Sequence, residues 1–216
     1  MRSTAHPVKG HSCRPFWLAA MLGAALSTGL AQAGSSDEQA LSAVQQATER
    51  YRDVSLALVD GYVPDPSNTC ITSTFEGQPR QLGAMGIHYF RPDLLGITAT
   101  APRIDGTGTH TDFERPAVLI YEPQADGSLT LVAVESLVFE RAWKEAGNTA
   151  PPEFLGNEFY HMVDNPVTPV DEAHGFAPHY ELHAWVHRKN PAGVFSPFNT
   201  AATCAHHAGA HNHPAR

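Results

Sequence analysis

Apolar and polar positions along this chain change their period once, and the change separates a helix from a run of strands. From Ser36 to Pro64 the apolar residues Ala40, Val44, Ala47, Tyr51, Val54 and Leu58 step by four and three, one stripe of a helix. Ser36 stands as an N-cap with Gln39 three residues on, Asp37 and Glu38 suit the positive helix end, and Gly61 and Pro64 supply the stop. A single apolar stripe predicts that this helix lies on a sheet. Beyond it the period shortens to two. Met85 to Phe90, "AVLIYEP" and "SLTLVAVESLVF" read as strands, the last two joined by a hairpin turn at Asp126-Gly127. "HYELHAWVH", from His179, is a fourth strand. Two long irregular stretches separate the strands, from Gly96 to Pro116 and from Gly147 to Pro178. Connections of such length often wall a site. The pattern predicts an α+β fold, a long N-terminal helix packed on an antiparallel β-sheet or small open barrel.

The first 33 residues stand outside this pattern. Arg2, Lys9 and Arg14 form a basic segment, Phe16 to Leu30 an apolar run, and "AQA" (Ala31 to Ala33) a small-x-small cleavage signal. These are the parts of a secretory signal peptide, with a run short for a membrane span. The expectation is export to the periplasm or medium and a single domain over residues 34–204, with no membrane span in the mature chain. The full chain carries a net charge of −8, and removal of the three basic residues makes the remainder more acidic. No basic stripe follows a phosphate backbone, so nucleic acid is not an expected partner.

Cys70 and Cys204 are the two cysteines after the cleavage signal. In an oxidising compartment the pair reads as a disulfide, worth about 4–5 kcal/mol by loop-closure entropy before strain is subtracted; a thiolate metal site is the alternative. Residues 205–216 carry four histidines among small residues and read as a disordered tail, either without a role or weakly binding Cu(II), Ni(II) or Zn(II).

The candidate chemistry lies on the strands. Alternation puts His179, Glu181, His183, Trp185 and His187 on one face of the last strand. Glu135 is embedded in an apolar run, where an ionised carboxylate is costly unless paired or bound to a metal. His88 sits in another such run. His88, Glu135 and His183 are therefore the candidate metal ligands, with Glu122, His179 and Glu181 as additional ligands or neighbours. Tyr89, Tyr121 and Tyr180 are candidates for hydrogen bonds behind the ligands. His187 reads as the solvent end of its strand, and Trp185 as either a stacking platform or core. Three readings stay open: a site for a metal ion (Zn, Cu, Fe, Mn or Ni) or a small molecule, a metal-free His–Glu acid/base pair, and buried or solvated histidines with no site. No nucleophile elbow, phosphate-binding loop or dinucleotide fingerprint competes.

The blocks "GAMGIHYF", "VLIYEP", "VAVESLVF" and "HYELHAWVHRKNPAGVFSPFN", with the following Cys204, resemble a group of uncharacterised exported bacterial proteins. That resemblance implies a layout rather than an activity. It places His88, Glu122, Glu135, His179, Glu181, His183 and Cys204 within shared blocks, and leaves the Thr/Gly-rich segment near Gly106 and the His-rich tail outside them. The function expected from the residues is an exported domain binding a metal or small ligand. The alternatives are a metal-dependent oxidoreductase or hydrolase of cupin-like type and a structural envelope protein without a site.

Overall fold

A computed structural model describes residues 28–207, with side chains from Ser36 onward. The basic segment and most of the apolar run of the expected signal peptide lie outside the described residues, as does the tail beyond His207. No helix among the described residues is long and apolar enough to cross a membrane.

The helical stretch is longer at its start than the periodicity predicts, and it is broken. Helix α1 runs Thr28–Thr48, so Ser36 lies inside it rather than capping it. A 3-10 turn follows at Glu49–Arg52. Asp53 then leaves the helical region at ψ 103° and accepts a hydrogen bond from Ser55 N, starting α2 (Val54–Val59). An aspartate side chain that can take an orphan amide competes with helix continuation, and here it wins. The buried positions differ from the predicted stripe: Val44, Thr48 and Ala57 are buried, whereas Ala47 and Leu58 are exposed.

The strands are β1 (Val63–Pro64), β2 (Cys70–Thr72) and β3 (Ala84–Phe90). After the short helix α3 (Pro92–Leu95) come β4 (Ile97–Ala99) and β5 (Asp105–Gly106). The hairpin β6 (Val118–Pro123) and β7 (Leu129–Phe139) leads into α4 (Glu140–Glu145). The chain then forms β8 (Glu153–Phe154), β9 (Asn157–Glu158), β10 (Tyr160–Met162) and β11 (His179–Ala184). Seven strands make one open antiparallel sheet in the order β1-β3-β6-β7-β11-β10, with β2 also paired to β3. The sheet does not close into a barrel.

Both faces of the sheet are covered. On one, Val44, Ala57 and Tyr62 from the helical stretch pack with Leu119, Tyr121, Val134, Val138 and Leu182. On the other, Phe90, Val118, Ile120, Leu137 and Phe139 pack beneath Leu95 of α3 and the loop residues Ile104 and Phe176. The two long irregular stretches build this second cover together. Ile104 N donates to Gly175 O at 3.0 Å, and Ala177 N donates to Ile104 O at 2.8 Å. Arg103 locks the pair: it donates to Phe176 O at 2.7 Å, and it forms ion pairs with Asp171 and Asp164.

The C-terminal segment is tied on by the Cys70–Cys204 disulfide, with Cα atoms 5.7 Å apart. Gly83 and Gly86 of the "GAMG" block are placed where backbone approaches closely. A Cβ on Gly83 would lie 2.1 Å from Asn199 O, and one on Gly86, at φ +130°, would lie 2.6 Å from Tyr121 O. The first described residues of the expected tail, to His207, lie against the domain: His207 Nε2 bonds Asn68 O at 2.6 Å.

Candidate metal centre

Strand register assembles the site under the loop cover. His183 on β11 lies directly opposite Glu135 on β7. Glu135 also faces Val118 on β6, and His88 on β3 faces Ile120, so His88 and Glu135 are separated by one strand and belong to the same face. The side chains meet: His88 Nε2 is 3.3 Å from Glu135 Oε2, and His183 Nε2 is 3.6 Å from the same oxygen. All three residues are buried, Glu135 at 1% exposure.

A second group adjoins the first. His179 Nε2 is 3.1 Å and His174 Nε2 3.5 Å from Glu181 Oε2. His183 Nδ1 lies 3.9 Å from the other Glu181 oxygen, and His174 Nδ1 lies 3.9 Å from Glu76 Oε1. The result is four imidazoles and three carboxylates in one buried layer. Each of the groups His88/Glu135/His183 and His174/His179/Glu181 could hold a metal ion.

Many of these atoms have no hydrogen-bond partner: both oxygens of Glu135, both ring nitrogens of His183, Nε2 of His88, Nδ1 of His174, and one oxygen each of Glu76 and Glu181. Buried polar atoms are ordinarily satisfied, and an unpaired buried charge is among the costlier features a fold can carry. Electrostatics bear the same mark. Burial, and then the charges of Glu181 and Glu135, push the Glu76 carboxyl well above the usual carboxylate range. Burial drives the His174 imidazole down to about 3, leaving it neutral and able to ligate. Burial opposes protonation of His88, but the adjacent Glu135 outweighs it and raises that imidazole. Burial likewise opposes ionisation of Glu181, but His179 and the charges of His183 and His174 overcome it and lower that carboxyl.

Of the residues expected from sequence, the structure brings His88, Glu135, His183, His179 and Glu181 together. It sets Glu122 apart: its carboxylate pairs with Arg188 at 2.6 Å and accepts from Thr203 N at 2.8 Å, tying down the C-terminal segment. His187 is not a solvent end. The strand stops at Ala184, the chain turns, and the buried His187 side chain bonds Thr48 Oγ1 at 2.8 Å against α1, on the opposite side of the sheet. The three tyrosines do not stand behind the ligands. Tyr121 donates to Tyr51 O at 2.7 Å, Tyr89 stacks edge-on with Tyr121, and Tyr180 stacks with His161. Tyr89 and Tyr180 immediately follow His88 and His179, so alternation sends them to the other face. Trp185 is core, stacked beside His183 and donating to Ser196 O at 2.7 Å. His174 and Glu76 come from irregular segments. The length of the loop carrying His174 was its one signal, and Glu76 had none.

Glu76 also lines a pocket of about 310 Å³ with Leu82, Met162 and Phe198 among its walls, so this carboxylate stands between the pocket and His174. Comparison with family models, curated proteins and solved structures finds no match for this chain.

Proposed function

We infer that this is an exported domain that binds a divalent transition-metal ion through His88, Glu135 and His183. The observation that carries the reading is Glu135: a carboxylate buried in the middle of β7, with neither oxygen hydrogen-bonded and two imidazole nitrogens aimed at one of them. A charge-assisted hydrogen bond would draw such atoms to about 2.7–2.9 Å. Ligand atoms on a tetrahedral ion with bond lengths of about 2.0–2.1 Å stand about 3.3 Å from one another. The distances of 3.3 and 3.6 Å match the second spacing, not the first. Two imidazoles and one carboxylate suit Zn(II), Fe(II), Mn(II), Cu(II) or Ni(II).

The test is elemental analysis of untagged protein whose tail histidines are replaced, together with melting temperature in the presence of each ion. Metal should co-purify, the matching ion should raise Tm, and Glu135→Gln should remove the rise at this position. If no metal co-purifies and Zn, Cu, Ni, Mn and Fe all leave Tm unchanged, the reading fails.

A metal-dependent enzyme is a second reading, favoured by the pocket that ends at Glu76. It requires a coordination position open to solvent or substrate. Azide should then perturb the visible spectrum of the Co(II)-loaded protein; a spectrum indifferent to azide and to other small anions rejects this reading while leaving metal binding intact.

A further inference from the structure

The tautomer of His179 is decided by its outer nitrogen. Nδ1 lies 2.9 Å from Ala177 O, and a carbonyl oxygen only accepts, so the ring proton sits on Nδ1. This is the arrangement that orients metal-ligating histidines. In the neutral ring Nε2 then presents a lone pair toward Glu181 Oε2, itself an acceptor, 3.1 Å away. His174 Nε2 reaches the same oxygen from 3.5 Å. Glu181 Oε2 and the Nε2 atoms of His179 and His174 converge on one buried point, and Glu181 Oε1 and His174 Nδ1 have no hydrogen-bond partner. The chain holds His174 there at φ +36°, a region that residues with a side chain seldom occupy.

We propose that His174, His179 and Glu181 bind a second divalent transition-metal ion, so that this face of the sheet carries a two-ion centre. The proposal rests on the reading of His88, Glu135 and His183 as the first position. His183 separates the two, with Nε2 3.6 Å from Glu135 and Nδ1 3.9 Å from Glu181. The positions differ in their supports. The first is built wholly from strands, whereas the second needs His174 from the loop cover, so loading it pins Ala173–Phe176 over the sheet.

The experiment is a Zn(II) titration of the metal-free full chain with His206, His207, His211 and His213 replaced by alanine, bound metal being counted after gel filtration. Two ions per chain are expected. His174→Ala and Glu181→Gln should each retain one, and His88→Ala should also retain one. Circular dichroism checks that each variant is folded, and Glu181→Gln serves if His174→Ala does not fold. A parent chain that binds a single ion overturns the two-ion centre. The first position survives that result if His88→Ala abolishes the single ion and falls if it does not. Two ions retained in both His174→Ala and Glu181→Gln also overturn the proposal. No bound Zn(II) at all overturns both readings.

Discussion

Strands β7 and β11 are equally buried on their two faces, and the faces have opposite chemistry. Toward the helices they present Val134, Val138, Leu182 and Ala184, which pack with Leu119 and Tyr121. Toward the loops they present Glu135, His179, Glu181 and His183 among Leu137 and Phe139. The helix side removes apolar surface from water, at about 25 cal/mol per Å², and leaves little unsatisfied. The loop side buries ionisable atoms without hydrogen-bond partners. Burial alone therefore does not separate core from site. Satisfaction of the buried polar atoms does, and by that measure the loop side gives up stability that a bound cation would restore.

The comparison is broken most forcefully from the helix side. Leu182, 0% exposed, should cost about 2–5 kcal/mol when changed to Ala. The loss should appear equally in metal-loaded and metal-free protein by urea unfolding, with metal stoichiometry unchanged. A metal-specific loss there would erase the distinction between the faces.

On the loop side the sign should reverse in the metal-free state. Glu135→Gln removes a buried charge that no hydrogen bond satisfies, so the metal-free chain should gain about 1–3 kcal/mol while losing its metal-induced rise in Tm. A loss of stability comparable to that of Leu182→Ala, with metal response retained, would make Glu135 an ordinary core residue.

His187 sharpens the contrast, because it is a buried histidine on the helix side. Burial, and secondarily Arg52 against the opposing charge of Glu49, pushes it down to about 4. With the folded value below the unfolded one near 6.5, the unfolded chain binds the extra proton first. Its contribution is thus complete above pH 6.5 and is lost as pH falls toward 4, amounting to at most about 3 kcal/mol. The difference between parent and His187→Gln, followed by urea unfolding from pH 7 to 4, should shrink and change sign over that window. Metal stoichiometry at pH 7 should be untouched.

The smallest effect concerns the cover. Arg103→Ala removes half-buried ion pairs to Asp164 and Asp171, which should cost on the order of 1 kcal/mol. Hydrogen exchange should rise at Ala173–Phe176 and stay slow in β7 and β11. Uniformly faster exchange would show that the cover and the sheet open as one unit.

Much of this was legible beforehand because alternation along a strand is a local property. The β6–β7 hairpin, the placement of β3 and β11, the disulfide and the inward aim of His88, Glu135 and His183 all follow from neighbours within a few residues or from cysteine chemistry. Where a local rule was extended past its element, it failed. Period two does not reach Trp185 and His187, because the strand stops at Ala184. Period 3.6 does not cross Asp53, whose side chain breaks the helix. Tyr89 and Tyr180 adjoin ligand candidates in sequence, and alternation sends them to the other face.

The sequence by itself determined that this chain has a helix followed by alternating strands, and that imidazoles and carboxylates interrupt apolar runs on those strands. Those properties are set by side-chain period and turn residues, independent of distant partners, whereas the bond between Cys70 and Cys204 joins residues 134 positions apart. Only the tertiary structure decided that five of these residues share one buried layer, that Glu122 serves an ion pair with Arg188, and that His174 and Glu76 complete the layer. Strand order and the pairing of two long loops are choices among distant contacts, made by the folding of the whole chain. The loop that brings His174 over Glu181 has no period from which its position could be read.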